Sequence, residues 1–228
     1  LVLKDVNGFI KIMNGSLKIL IMTGSNDIGV INPHSNYIFK LHFDFDWDLL
    51  APFCHELIST TPKGLSLVTN GHTSHQNKKQ PHRIKEFKPY FDWLHFMVAE
   101  VAKNGMGYSK SYHEYKVTNS WVNVHEKGGV TSTHNHSNTF LVAAAYLKMP
   151  ENGGYFECKD PLEYVKGEFY YDDPNWMWKE IPTVTGDVLI FPSWLRHRTQ
   201  VNNSNEKRWV LTSNFSQEFN PQPFYNGK

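Results

Sequence analysis

The sequence predicts an α+β fold that is mainly β, with helices packed outside a β-sandwich or barrel. Two stretches of helical periodicity fall within the first 105 residues, and six short strand-like segments fill positions 117 to 215. Clusters of Gly, Pro, Asn and Asp separate those segments. A chain of 228 residues suffices for one well-packed domain and is short for two. The expectation is therefore a single domain, with strands and supporting helices over 1–115 and the β core over 116–216.

The apolar stretch from Phe9 to Met22 is broken by Lys11, Asn14 and Lys18, so it reads as neither a signal segment nor a membrane span. Ile19 to Ile21 within it reads as strand. Tyr37, Phe39, Leu41, Phe43 and Phe45 recur at every second position, with Lys40, His42 and Asp44 between the later ones, the pattern of a half-buried strand over 37–45. From Trp47 to Ile58, Leu49, Leu50, Phe53, Leu57 and Ile58 share a helical face, with Pro52 tolerated in the first turn. Residues 59–89 form a long polar loop whose Lys78, Lys79, His82, Arg83 and Lys85 read as a solvated surface rather than a substrate patch. A second helix runs from Tyr90 to Lys103 on Phe91, Leu94, Met97, Val98 and Val101, with Gly105 as its stop. The strands expected after it are Val117–Val124, Thr139–Lys148, Tyr155–Cys158, Thr183–Phe191, Arg198–Val201 and Arg208–Phe215. Leu162 to Ile181 holds Tyr164, Phe169, Tyr170, Tyr171, Trp176 and Trp178 among acidic residues. It reads equally as a lid or substrate platform and as a surface hairpin shielding the barrel.

A net charge of +1 calls for no nucleic-acid or membrane partner. Two cysteines without a C-x-x-C pair suit a reducing compartment, hence the cytoplasm.

The chemistry is concentrated in three places. In Thr133-His134-Asn135-His136-Ser137, strand periodicity puts His134 and His136 on one side, where two imidazoles suit a transition metal. In a chain with twelve histidines, an H-x-H pair is as compatible with two unrelated loop histidines. An apolar strand entered by Gly186-Asp187 and ended by Pro192 delivers His197 from a separate element, 63 positions after His134. Three ligands on rigid elements make a metal site with open positions. Arg208, eleven residues further, opens an otherwise apolar strand; inside a barrel its guanidinium suits a carboxylate held by two parallel hydrogen bonds.

Together with Asn119-Ser120-Trp121-Val122-Asn123, Ala145 to Pro150 and Phe156 to Pro161, these segments resemble a family of 2-oxoglutarate/Fe(II) oxygenases of marine bacteria and cyanophage-like viruses. The likeness covers residues 119 to 216. It implies a double-stranded β-helix (jelly-roll) core with flanking N-terminal helices. It also implies Fe(II), 2-oxoglutarate as co-substrate and O2. On it, His134 and His197 are the first and distal metal ligands and Arg208 grips the remote carboxylate of 2-oxoglutarate; His136, on the same strand side as His134, is the candidate third catalytic ligand. Tyr146 supports that carboxylate or is an ordinary core tyrosine, and Asn123 and Trp121 line the pocket.

The chain departs from the wider superfamily twice. His136 stands where that pattern has Asp or Glu, with Asp160 as a fallback carboxylate. Val210 stands where a hydroxyl is common two residues after the arginine, and Thr212, on the same strand face, is the candidate substitute. The implied reaction is hydroxylation coupled to decarboxylation of 2-oxoglutarate. The primary substrate stays open among protein side chain, nucleobase, sugar and small metabolite, and the sequence gives no oligomeric state. The alternatives are a cupin-like three-histidine enzyme without a keto acid, which has no need of Arg208, and a metal-free jelly-roll binding or structural module.

Overall fold

The computed structural model describes residues 2–5, 8–11, 29–31, 38–64, 66–106, 113–163, 167 and 175–219. In chain order the strands are β1 (Val2–Asp5), β2 (Gly8–Lys11), β3 (Gly29–Ile31) and β4 (Ile38–His42), followed by helix α1 (Trp47–Ser59) and β5 (Val68–Thr73). Two single 3-10 turns lead into α2 (Lys88–Glu100), which closes in a π-helical turn over Val101–Gly105. Then come β6 (His113–Thr131), β7 (Leu141–Lys148), β8 (Phe156–Lys159), β9 (Trp178–Ile181), β10 (Asp187–Pro192), β11 (His197–Thr199) and β12 (Arg208–Phe219).

Every pairing is antiparallel. The large sheet has the order β3-β4-β10-β7-β12-β6-β5 and the small one β11-β8-β9, while β1 and β2 pair with each other. Strand periodicity gives the large sheet two apolar faces. On one, Val122, Val124, Ala143, Ala145, Leu147, Val188, Ile190, Trp209 and Leu211 pack under Leu50, Cys54 and Leu57 of α1 and Tyr90, Leu94 and Val98 of α2. On the other, Val142, Ala144, Tyr146, Leu189, Phe191 and Val210 meet Phe156, Cys158 and Ile181 of the small sheet. Sheet facing sheet, with helices on the outer face of the larger, is the double-stranded β-helix.

Both expected helices form, with shifted ends. Asp46 caps α1, its carboxylate accepting from the Leu49 N–H at 3.0 Å, an arrangement that contributes about 1 kcal/mol. Pro52 lies inside α1, deeper than the first turn. The second helical segment ends at Gly105, where a Cβ would lie 2.5 Å from the Phe39 ring. Of the strand expected over 37–45, Tyr37 lies outside the described residues and the described strand is Ile38–His42, while Phe43 and Phe45 turn instead into an aromatic cluster with Tyr90. The 59–89 stretch is not wholly loop, because β5 pairs along β6 within it. The aromatic insert likewise supplies β9, an outer strand of the small sheet. Ile19 to Ile21, Tyr164, Phe169, Tyr170 and Tyr171 lie outside the described residues. Among the described residues no helix is long and apolar enough to cross a membrane.

Candidate metal centre

His134 and His197 meet through their backbones. The His134 N–H donates to the His197 carbonyl at 3.0 Å, and the His197 N–H donates back at 2.9 Å. Such a pair presents both side chains on one side, and the two rings lie 4.2 Å apart between centroids. The third ring, that of His136, is placed by its own N–H, which donates to the Ser193 carbonyl at 2.9 Å. Trp121 stacks along His136 and Phe156 along His197, covering the ring faces.

Each Nδ1 faces an oxygen at 2.8 Å: the Ser132 carbonyl for His134, the Leu195 carbonyl for His197 and Asn214 Oδ1 for His136. Those oxygens only accept, so all three rings carry their proton on Nδ1. Three bare Nε2 lone pairs then converge, with the candidate ligand atoms within 4.8 Å of one another. The Nε2 atoms of His136 and His197 are 3.4 Å apart with no proton to share. Facing lone pairs repel, and a cation removes the repulsion. The outer oxygens fix tautomer and ring orientation, as they do around metal-bound histidine.

Burial holds all three rings below the ordinary histidine range. His136 falls to about 4, with His134 pushing the same way and the Asn214 hydrogen bond opposing. His197 falls well below the usual value, and His134 falls against the upward pull of the Ser132 carbonyl. All three are neutral at pH 7, the form a metal requires.

Beside this cluster lies a cavity of about 420 Å³. Cross-strand register arranges its wall in rows: Asn214, then Trp121, Thr212 and Ala144, then Asn123, Val210 and Tyr146, then His125; Arg208 stands opposite His125 in register and is bonded to His125 and Thr199, which line the cavity. Rows are ~7 Å apart. His136 binds the first row, so the metal cluster and Arg208 occupy opposite ends. Asn123 and Tyr146 sit between them, and the buried Asn123 Oδ1 has no hydrogen-bond partner. Burial raises the Tyr146 hydroxyl to about 12, so it is a neutral donor.

Arg208 is fully buried. Nη1 donates to the carbonyls of Gly153 (2.5 Å), Gly154 (2.9 Å) and Gln200 (3.1 Å). Nη2 donates to Thr199 Oγ1 at 2.9 Å and Nε to His125 Nδ1 at 3.4 Å. Among the described residues no carboxylate pairs with it. Burial lowers its pKa to about 10, which leaves it charged at neutral pH.

The structure therefore brings together His134, His136 and His197, and lines their cavity with Tyr146, Asn123 and Thr212. Two expectations change. Thr212 is no companion of Arg208: it lies opposite Trp121, four residues and ~13 Å along the strand, and Thr199 takes the place beside the guanidinium. Asp160 lies outside the cluster, its Oδ1 accepting from the Leu162 N–H at 2.9 Å. The sequence reading missed His125, Thr131, Thr199 and Asn214. Asn214 alone had a signal, since it continues the two-residue period of Arg208, Val210 and Thr212.

Residues 119–214, somewhat under half of the chain, match the model of the family described as "Putative 2OG-Fe(II) oxygenase". The fold is that of the 2OG-Fe(II) oxygenases. A Pseudomonas putida prolyl-4-hydroxylase matches at TM-score 0.53 and 15% identity, over 79% of this chain and 93% of that one. The viral collagen prolyl hydroxylase of Paramecium bursaria Chlorella virus-1, solved with 2OG, matches at 0.50 and 13%, over 79% and 96%. HygX from Streptomyces hygroscopicus, solved with iron, matches at 0.51 and 13%, over 79% and 82%. At these identities the likeness to the oxygenases is one of fold. No curated protein matches the chain.

Proposed function

We propose that this chain is a 2-oxoglutarate-dependent Fe(II) dioxygenase that hydroxylates its substrate. Iron sits on Nε2 of His134, His136 and His197, and the keto acid lies in the cavity between iron and Arg208. The observation that supports this most is a pair of opposite demands in one cavity. Three bare lone pairs call for a cation at one end, and at the other the lining residues Thr199 and His125 are bonded to a buried guanidinium that has no ionic partner among the described residues and calls for an anion. The family match over 119–214 and the solved structures with iron and 2OG support the same pairing.

When bound, iron, keto acid and dioxygen supply the oxidation: the keto acid loses carbon dioxide to become succinate and a substrate C–H becomes C–OH. The chain's residues supply position and charge. The Ser132 and Leu195 carbonyls and Asn214 aim the three rings. Trp121 and Phe156 keep water from the ring faces. Asn123 and Tyr146 offer polar atoms along the keto acid, and Arg208 balances its far charge. Three neutral imidazoles leave the metal's two positive charges unbalanced, so a dianionic keto acid should tighten iron retention. A cytoplasmic setting goes with this reading, since Cys54 and Cys158 are free and buried.

Anaerobic addition of ferrous iron and then 2-oxoglutarate should give the weak visible charge-transfer band of the chelate at one equivalent of each. A three-histidine enzyme without a keto acid would bind iron and give no band. A metal-free module would bind neither, and either outcome defeats the proposal.

A further inference from the structure

The open side of the cavity is built largely by residues outside 119–214. Ser66, Leu67, His75 and Gln76, from β5's flanks, and Asn135 and Ser137, on either side of His136, line the cavity and are exposed, so they border its opening. A substrate that reaches the histidine cluster passes between them.

His75 is held in place from both directions. The Ser74 N–H donates to the Val122 carbonyl and Ser74 Oγ accepts from the Val122 N–H, both at 2.9 Å. That double bond to β6 sets the next residue, His75, edge-on against Trp121 with ring centroids 4.6 Å apart, and Trp121 in turn stacks along His136. Asn119 Nδ2 lies 3.4 Å from His75 Nε2 and only donates, so Nε2 accepts and the ring proton is on Nδ1. Among the described residues that N–H has no acceptor. Partial burial holds the His75 pKa below the ordinary value, so the ring is neutral at pH 7.

The charges around the opening are as telling as the hydrogen bonds. Among the described residues no Asp, Glu or Lys lines the cavity, and Arg198, the lining arginine, is paired with Glu157. Three neutral rings, a ferrous ion and a dianionic keto acid sum to zero, and Arg208 adds a positive charge behind the wall. An ammonium entering here would shed water and find no anion to receive it. A neutral group finds amides at Gln76 and Asn135, hydroxyls at Ser66 and Ser137, and the His75 N–H.

We infer that the primary substrate is electrically neutral where it enters the cavity, is held through amide or hydroxyl groups, and accepts a hydrogen bond from His75 beside the metal cluster. This rests on the function proposed above. His75 is a binding residue in it, and the absence of a lining carboxylate excludes ammonium and guanidinium substrates.

The test is anaerobic titration of the protein loaded with ferrous iron and 2-oxoglutarate, reading the shift of the chelate band as probes are added. The probes come in matched pairs, one neutral and one cationic: N-acetyl amino-acid methylamides against the same methylamides with a free ammonium, and methyl glycosides against their amino-sugar counterparts. The neutral member of a binding pair should bind about tenfold or more tighter than its cationic partner, and the two arms show whether an amide or a polyol carries the neutral group. His75→Phe keeps a ring against Trp121 and should weaken the neutral probe about tenfold, with the chelate still forming. His75→Asn keeps a side-chain N–H and should bind that probe within about threefold of the parent. Gln76→Glu supplies a carboxylate and should narrow the gap within each pair. Cationic probes that bind as tightly as neutral ones, no neutral probe that binds, His75→Phe binding like the parent, or a gap unmoved by Gln76→Glu each overturn this inference alone. A parent protein that forms no chelate overturns the functional proposal, and this inference with it.

Discussion

The two ends of the cavity are built by opposite rules. At the histidine end every ring proton is spent outward, on Ser132, Leu195 and Asn214, and lone pairs face inward. At the arginine end the lone pairs of Thr199 are filled by Arg208 and the Thr131 N–H, as is one of Thr131 by His125, and both hydroxyl-bearing residues line the cavity. One end is an acceptor cluster, the other a donor cluster. A side chain's own chemistry does not decide which it becomes. Histidine serves both ends, accepting toward the cavity at positions 134, 136 and 197 and relaying a proton at position 125. The partner on the far nitrogen sets the difference.

The largest effect should come from breaking the acceptor end. His136→Ala removes one of three lone pairs, and because loss of an outer partner alone costs roughly 10–100-fold in metal affinity, iron affinity should fall by more than about a hundredfold. His136→Asp should keep iron. Its carboxylate also neutralises one metal charge, so iron retention by that variant should depend less on added 2-oxoglutarate than in the parent. Iron analysis after gel filtration, with and without the keto acid, reads both effects. Alanine retaining full iron would show that the convergence of rings is incidental.

Arg208→Ala breaks the donor end and the fold together. It strips partners from the carbonyls of Gly153, Gly154 and Gln200, and buried acceptors left unpaired cost roughly 1–3 kcal/mol each. A loss of about 3 kcal/mol in denaturant unfolding is expected, with 2-oxoglutarate binding weakened more than tenfold and iron binding in the folded fraction unchanged. An unaltered midpoint would mean that the guanidinium is not the staple its contacts imply.

How legible each end was follows from what held it together. The acceptor end rests on side chains with a two-residue period and a strand ended by proline, so His134, His136 and His197 could be named from spacing. The donor end rests on backbone carbonyls, which have no sequence signature, and on the register that sets Arg208 against His125 across 83 positions. Arg208 itself was legible as an arginine opening an apolar strand, while its cage was not. In the fold, α1 and α2 were carried by strong periodicity. β5 was missed because Val68-Thr69-Asn70-Gly71-His72-Thr73 is polar, lies at the sheet edge and is bulged between Thr69 and Gly71. β6 runs past Val124 through Gly128 and Gly129, which read from sequence as a break.

Both ends keep their histidines neutral, which gives the metal-free protein a pH dependence. Burial lowers His125, His134, His136 and His197 in the folded state, whereas unfolded histidine titrates near pH ~6.5. Below that pH the unfolded chain binds more protons than the folded one, so stability rises with pH across the window. Stability should be fully present above pH ~6.5 and decline as pH falls toward the His136 value of about 4. The slope is at most about 1.4 kcal/mol per pH unit for each histidine. Thermal melts of the metal-free protein from pH 8 to 4.5 check this, and a flat profile down to pH 5 would contradict neutral histidines at both ends.

The smallest effect is expected at Asp160, and it tests whether the acceptor end is purely histidine. β8 pairs with β11 so that Cys158 stands opposite His197, which puts Asp160 two residues, or ~7 Å, further along. Its backbone N–H donates to the Met177 carbonyl at 2.6 Å, and its Oδ1 accepts from the Leu162 N–H. It does not line the cavity and is not among the converging ligand atoms. Asp160→Asn keeps the shape and the accepting Oδ1. It should leave iron stoichiometry unchanged and 2-oxoglutarate affinity within about twofold, and shift stability by no more than ~1 kcal/mol. Suppose instead that Asp160→Asn loses iron while His136→Ala keeps it. A carboxylate would then already balance part of the metal's charge, and the keto acid would not be needed to hold the metal. The contrast between an acceptor end of neutral rings and a donor end built for an anion would no longer describe this cavity.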